Sequence, residues 1–366
     1  MEKKEIKLLF IVPYPFNTAP SQRLKFEQYF EYLKQNNIKI GFYSFITPTF
    51  RRIIYLKGKL FLKILFTFVR YLARIFHFFK ALKYDIIYLH LEATPVGPPI
   101  FEYILYKLNK PIIYDIDDLV YLPHSSNMNP IMKWLRSKDK IIKIMQWSKH
   151  IIVCTEYLRK FALQYNDCVT NISSTIDTDK YFIKNSYLND HRLCVGWSGS
   201  HSTSKYLHLL DNVLRYIQKK YNVKIKVIGD QSFFIPEVEI EAIEWNEPTE
   251  VEDLQEIDIG LYPLTKDEWV LGKSGLKALQ YMGLGIPTIC TPIGCNYEII
   301  KDGENGYFAD SDDEWIEKIS ILIENPDLRR KLGEAARKTV EEYYSVRVNA
   351  PRYLKIINDI LPEEGS

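Results

Sequence analysis

Three observations predict an α/β protein made of two doubly wound parallel sheets facing across a cleft. At 366 residues the chain is too long for one ordinary core and suits two domains of roughly 100–200 residues each. Short apolar runs of strand length alternate with helical stretches, the pattern of parallel strands covered on both faces. The alternation pauses at a polar segment, residues 171–182 (NISSTIDTDKYF), and then restarts. The expected domains are therefore 1–180 and 181–345, with 346–366 as a C-terminal helix packing back on the first. With 46% hydrophobic and 26% charged residues, 18 Pro and 16 Gly, the composition excludes a disordered, collagen-like or low-complexity chain. The net charge of +2, from 48 basic and 46 acidic residues, gives no global reason to bind nucleic acid.

The first element, 6–13, reads as a buried strand. The segment MEKKEIKLLFIVPYP mixes acidic residues with its lysines and reaches a proline after too few apolar residues for a signal peptide. A helix over 21–35 follows, with Ser21 as its expected N-cap, and then a strand over 38–45. Strands at 85–89 (DIIYL), 111–116 (PIIYDI) and 151–154 alternate with helices at 99–108, 133–147 and 156–165. The second series runs through strands at 193–198 (LCVGWS), 223–229, 240–245, 257–262 (IDIGLY) and 287–291. Helices at 205–219, 250–255 and 275–283 intervene, and two more follow Ser311. In such sheets ligands sit at the carboxyl ends of the strands.

Between Glu31 and Asp85 no acidic residue occurs, while eleven basic residues do. Within this region 60–79 (LFLKILFTFVRYLARIFHFF) is almost apolar enough to span a membrane. Lys63, Arg70, Arg74 and His77 interrupt it, each central charge costing about 2.5–3.5 kcal/mol. Lys63, Arg70 and Arg74 are spaced i, i+7, i+11, which puts them on one helical stripe. Two readings fit segment 51–83: a helix lying in an anionic membrane interface with its basic side chains snorkelling, or a core helix whose few charges face water.

Two loops have the composition of anion sites. The first runs from Ser198 through Gly199, Ser200, His201, Ser202, Thr203 and Ser204 to Lys205. There backbone N–H groups, hydroxyls and a helix start favour a phosphate, although a capped βα turn has the same composition. The second runs from Asp267 to Gly275 and places Gly272, Lys273, Ser274 and Gly275 at a helix start, with Lys273 as a point charge. Asp115, Asp117 and Asp118 close the strand PIIYDI. A D-x-D pattern suits a divalent cation carrying a nucleotide diphosphate. His90 and Glu92 follow DIIYL as candidate contacts to acceptor hydroxyls, and Arg23 opens the first helix as a candidate for a diphosphate or an acidic acceptor. Cys154, Cys168, Cys194, Cys290 and Cys295 are odd in number and lack C-x-x-C spacing, so a reducing, cytoplasmic setting is expected.

The segment GKSGLKALQYMGLGIPTICTPIGCNYEIIKDGENGYF, with VGWSGSHSTSKYL, VIGD and DIGLYPL before it and DEWIEKISILIENPDLRRKLGEAARKTVEEYYSV after it, resembles family 4 glycosyltransferases of GT-B fold over 193–346. The first half is similar more loosely, through the opening strand, Arg23 and YDIDD. The resemblance implies sugar transfer from a nucleotide diphosphate sugar with retention at the anomeric carbon, no catalytic metal, and no cofactor beyond the donor. Placing Gly275 on the family's motif glycine puts Gly272 and Gln280 where the two glutamates of its E-x7-E motif stand. Trp197 takes the place of its arginine, and Lys205 approximates its lysine. The implied donor residues are Gly199, Ser200, Lys205, Gly272, Ser274, Gly275, Gln280 and Glu298. Lys273 and the backbone N–H groups near Gly199 and Gly275 hold the leaving phosphate, and Glu298 touches the ribose or caps a helix. Asp117 and Asp118 fall where the family carries an active-site histidine, so they are candidates for contact with the sugar or the acceptor; alternatively, one caps a helix and another makes an internal ion pair. The expected acceptor is a glycan or lipid-linked glycan at an anionic membrane surface, in polysaccharide or glycoconjugate synthesis at the inner face of the cell membrane. The loss of both glutamates keeps two other readings open: a non-catalytic nucleotide-sugar-binding or regulatory protein, and a nucleotide-sugar epimerase.

Overall fold

The structure, a computed structural model, describes residues 5–56, 58–95, 97–119, 138–183 and 192–361. Contacts divide the chain into two compact units, Met1–Ser173 with Ala350–Ser366, and Ser174–Asn349. The divisions thus fall at 173 and 349, where sequence placed them at 180 and 345.

The first unit holds six parallel strands in the order β2-β1-β3-β4-β5-β6: β1 (Ile6–Val12), β2 (Ile38–Ser44), β3 (Ile86–His90), β4 (Ile112–Ile116), β5 (His150–Val153) and β6 (Val169–Asn171). Strands β3 and β4 are buried at every position, as continuous apolar runs in a two-faced sheet should be. Phe10 of β1 stacks on Phe26 at 5.3 Å and meets Tyr88 of β3 at 4.6 Å. The expected helix over 21–35 is interrupted. It consists of α1 (Pro20–Arg23), a 3-10 turn at Glu27–Tyr29 and α2 (Phe30–Gln35). Its N-cap is Ala19 rather than Ser21, because Pro20 takes the first helical position, where its fixed φ is already helical. The interruption falls at Lys25 and Phe26, both of which are fully buried.

Among the described residues of this unit follow α3 (Pro48–Tyr55), α4 (Leu60–Ala81), α5 (Ile100–Lys107) and α6 (Lys138–Trp147). The first residues of the expected helix 133–147 lie outside the described residues, as does Lys57 of the basic segment. α7 (Glu156–Ala162) is capped by Thr155, whose hydroxyl accepts from the Leu158 amide at 3.2 Å.

Helix α4 overturns the expected orientation of its cations. Arg70 donates to the carbonyls of Phe45 and Ser44 at 2.6 and 2.8 Å. Arg74 is buried and donates to Ala93, Tyr43 and Val12 at 2.7, 2.9 and 3.0 Å. Carbonyls at the carboxyl ends of β1 and β2 and in the loops after β2 and β3 accept these bonds, and a planar guanidinium with five N–H groups serves several at once. The apolar residues face outward instead, with Phe61 77% and Phe76 71% exposed and Leu60, Ile64, Phe68 and Phe79 exposed beside them. Spacing defined the stripe correctly but could not say which side the sheet would take.

The second unit holds six parallel strands in the order β12-β11-β10-β7-β8-β9: β7 (Cys194–Ser198), β8 (Lys224–Ile228), β9 (Ile240–Ile243), β10 (Ile259–Tyr262), β11 (Thr288–Cys290) and β12 (Tyr307–Phe308). This is a doubly wound order that reverses between β7 and β10. The expected helix 205–219 splits into a 3-10 stretch at Ser204–Leu210 and α8 (Asp211–Lys220). The remaining helices are α9 (Glu250–Gln255), α10 (Leu276–Gly283), α11 (Asn296–Ile299), α12 (Asp312–Glu324), α13 (Pro326–Thr339) and α14 (Val346–Ile360). A full capping box between Ser311 and Glu314 starts α12. Tyr353 of α14 belongs to the first unit and packs against Tyr29 at 4.5 Å.

Arg74→Met removes a donor from three carbonyls, of which Val12 O keeps the Phe45 amide at 2.8 Å. At about 1–3 kcal/mol for each of the other two, less the relief of a desolvated charge, the change should destabilise the first unit by about 2–4 kcal/mol. Urea unfolding reads this as a lower midpoint; an unchanged midpoint would show that α4 is held by other contacts.

Candidate active site

At the switch point of the second sheet, β7 ends in Trp197 and Ser198, and β10 ends in Tyr262. The two loops expected to bind an anion follow these strands. In the first, most of the backbone donors are already used. Gly199 N–H donates to Ile228 O at 2.9 Å, and Ser200 N–H to Thr203 Oγ1 at 3.1 Å. Ser200 Oγ lies 2.9 Å from Ser202 Oγ, and Ser204 Oγ donates to Asp230 Oδ2 at 2.6 Å. As a donor of backbone N–H groups at Gly199 and Ser200 the loop is therefore a self-capped turn, correcting that part of the expectation. Burial alone would raise the carboxyl of Asp230, but donations from Ser204, Ser232 and His201 bring it down to about 2.

What this loop does supply is close approach. A Cβ on Gly199 would lie 2.3 Å from the Trp197 ring and 2.5 Å from Lys277 Nζ. Trp197 stands where the resemblance expects arginine, and the cation above it comes from α10: Lys277 Nζ is 4.1 Å from the indole centroid and 5.8 Å from that of Tyr262. Lys277 Nζ also donates to Thr203 Oγ1 at 3.2 Å.

In the second loop a 3-10 turn, Glu268–Gly272, is capped by Asp267 and brings Lys273 to the start of α10. Gly275 is the N-cap at φ +68°, and a Cβ there would come within 2.3 Å of Ile299 Cδ1, so both conformation and space require glycine. Ser274 is buried and accepts from Ser174 Oγ at 2.9 Å. Lys273 Nζ is 5.9 Å from the Tyr206 ring and Lys205 Nζ 5.2 Å from it, so two further ammonium groups gather on one aromatic. Among the described residues none of Lys205, Lys273 and Lys277 has a carboxylate at ion-pair distance. Gly272 is buried, and Glu298 is exposed on the four-residue helix α11.

Gln280 is only 6% exposed, and its amide nitrogen is engaged. It donates to Tyr181 Oη at 3.0 Å and to Glu250 Oε1 at 3.2 Å. Glu250, at the first position of α9, also accepts from Tyr181 Oη at 3.0 Å and Trp245 Nε1 at 2.9 Å. A carboxylate therefore stands beside Gln280, contributed by another helix.

In the first unit the candidate residues at the ends of β3 and β4 divide. Asp115 is fully buried between Lys25 Nζ at 2.5 Å and His90 Nδ1 at 2.6 Å, the internal ion pair that was the alternative reading for one aspartate. Burial would raise the Asp115 carboxyl, but Lys25 and His90 hold it below its ordinary value. His90 is fully buried against Phe26, which corrects its expected contact with an acceptor. Glu92 forms an ion pair with Lys140 at 2.6 Å, and Lys140 donates to Thr94 O at 2.6 Å. Arg23 is buried at the end of α1. Asp117 is nearly buried, and Asp118 is half-buried at φ +63°. Sequence reasoning missed Lys25, Lys277, Glu250 and Tyr181. Only Lys277 left a signal, its i, i+4 spacing from Lys273 at a helix start.

Residues 181–339 match the family model of glycosyl transferases group 1. The capsular polysaccharide biosynthesis glycosyltransferase CapM of Staphylococcus aureus is 23% identical over 276 residues, 71% of this chain and 66% of that protein. The chain spans about a fifth to two thirds of the length of the curated relatives it matches. Among solved structures, a glycosyltransferase from Rickettsia africae ESF-5 superposes with TM-score 0.71 at 16% identity, covering 99% of this chain and 100% of that one. Anabaena HepE in complex with UDP and glucose superposes with TM-score 0.67 at 14% identity, covering 97% and 100%. The fold is the α/β GT-B type.

Gln280→Glu would set a second carboxylate 3.2 Å from Glu250. Two carboxylates sharing a site raise one carboxyl's folded pKa above its unfolded value, so the penalty is absent at low pH and grows as pH rises. The second unit's melting temperature should fall more at pH 8 than at pH 5, and adding Glu250→Gln should restore it. Equal melting of Gln280→Glu and wild type at pH 8 would separate the two side chains.

Proposed function

We propose that this chain, whose second unit matches the glycosyl transferases group 1 model, is a retaining glycosyltransferase using a nucleotide diphosphate sugar. The observation that carries the reading is the gathering of Lys205 and Lys273 on the Tyr206 ring beside the switch point of a doubly wound sheet, with no carboxylate partner among the described residues. Such a cluster is self-repelling until an anion arrives, and a diphosphate suits its charge. UDP in the HepE complexes supports a nucleotide at this kind of fold.

The bond to break joins the sugar's anomeric carbon to a phosphate oxygen, and negative charge grows on the departing diphosphate. Cations fixed before reaction stabilise that charge more in the transition state than in the ground state. Lys273 is assigned this work, with the lysines supplying charge in a metal-independent reaction. The acceptor hydroxyl attacks from the leaving-group face and gives its proton to the phosphate, which preserves the anomeric configuration. Asp117 and Asp118 are assigned to contact with the sugar or acceptor. Gly272 offers no side chain where a glutamate is expected, which favours a binding protein without turnover as the second reading. A panel of nucleotide sugars with glycan and lipid-linked acceptors, its products followed by NMR, separates the two. Lys273→Ala should lower kcat by about 10²–10³ with the melting temperature kept, and turnover within a few-fold of wild type would remove Lys273 from this role.

The acceptor's setting is proposed to be an anionic membrane surface. Among the described residues no helix is long and apolar enough to cross a membrane. α4 nevertheless runs 22 residues, about 33 Å at 1.5 Å per residue, with its apolar face outward. Arg52, Lys59, Lys80 and Lys83 are exposed at and beyond its ends, a pattern that suits an anionic lipid interface. Phe61, Phe68 and Phe76 replaced together by Ser should abolish sedimentation with anionic vesicles and leave melting unchanged. Binding that survives the triple change would reject this face as the contact.

A further inference from the structure

Lys277 lies in the first turn of α10, with its ammonium over the ends of β7 and β10, the neighbouring strands between which the sheet order reverses. Ligands of open parallel sheets bind at such a reversal. The surroundings of Lys277 suit a ligand better than they suit a core. Of its three N–H donors, one goes to Thr203 Oγ1. The indole face of Trp197 attracts the cation without using another, so two N–H donors remain. Lys273 is close enough to repel it, and Gly199 keeps open the space beside Nζ that any side chain would fill. A lysine held this way, where an apolar side chain would pack at lower cost, calls for an anion.

We propose that Lys277 binds the diphosphate of a nucleoside diphosphate, its two remaining N–H groups donating to phosphate oxygens while Trp197 fixes the ammonium's position. The proposal rests on the donor-site reading above and adds a residue to that site. Lys273 contributes charge from the preceding loop, and Lys205 from beyond Tyr206.

The groups facing Lys277 are Lys273 on the loop before α10, Thr203 on the loop after β7, the Trp197 ring, and Tyr262 on β10. Burial and then Lys273 hold its ammonium well below the ordinary lysine value, so a diphosphate beside it draws protons back. Binding therefore takes up protons wherever the free amine is partly deprotonated.

Titration calorimetry of the full chain with UDP, GDP and inorganic pyrophosphate at a series of pH values from 6 to 9, in buffers of different ionisation heat, tests this. Wild type should bind at least one of the three with net proton uptake. Lys277→Met should bind about 10- to 100-fold more weakly, without uptake. Its ligand-free melting temperature should equal or exceed that of wild type, because repulsion with Lys273 is gone. Lys277→Arg should bind within about tenfold of wild type, also without uptake, because a guanidinium stays charged. Lys277→Met binding as tightly as wild type would overturn the proposal and leave the donor reading standing. So would weaker binding joined to a lower ligand-free melting temperature that Lys277→Arg does not rescue. A wild type that binds none of the three would overturn both.

Discussion

Parallel strands end in carbonyl groups at their carboxyl edge, and how each unit meets the demand for donors there organises this molecule. In the first unit the demand is met by cations from the surrounding elements. Arg70 and Arg74 reach in from α4, Lys25 from the break between α1 and α2, and Lys140 from α6, each donating to at least one main-chain oxygen. These charges are committed to structure. In the second unit the lysines at the corresponding edge rest on aromatic rings instead. Similar residue types at similar places in two doubly wound sheets thus find different partners, set by whether a carbonyl or a ring lies within reach.

The inward turn of the α4 arginines has a second consequence. A helix that spends its cations on the sheet must face outward with whatever remains, which here is phenylalanine, leucine and isoleucine. Phe78 of α4 meets Phe101 of α5 with ring centroids 6.5 Å apart, and Ile100 and Tyr103 of α5 are exposed as well, so the outward apolar surface extends beyond one helix. Exposed apolar area on this scale is uncommon on a monomer's surface. The interaction that fastens α4 also creates its exposed apolar face.

Around the second sheet, close approach is the constraint. Gly199 lets the β7 loop pass over Trp197 and beside Lys277, and Gly275 lets α10 start against Ile299 of α11. The two glycines bring the loops after β7 and β10 together at the switch point. Gln280 follows Lys277 by three residues on α10 and is held by Glu250 and Tyr181. The pairing of amide with carboxylate avoids two like charges in one buried place.

Much of the architecture was legible in the sequence, because short apolar runs separated by amphipathic stretches admit few arrangements other than covered parallel sheets. The composition of the loops at Ser198–Lys205 and Asp267–Gly275 was legible too, but not that the first spends the Gly199 and Ser200 N–H groups within the fold. Facing direction and pairing were not legible. The stripe of Lys63, Arg70 and Arg74 was visible, but period alone cannot say which side of a helix meets the sheet. Lys25 finds Asp115 ninety residues away, His90 is sealed by Phe26, and Glu250 reaches Gln280 from another helix. The sequence by itself determined which elements form and where glycine, serine and lysine gather at helix starts. Only the tertiary structure decided which charges are buried in partners and which stay available, because neutralising a charge depends on neighbours that the fold, not chain proximity, brings within a few ångströms.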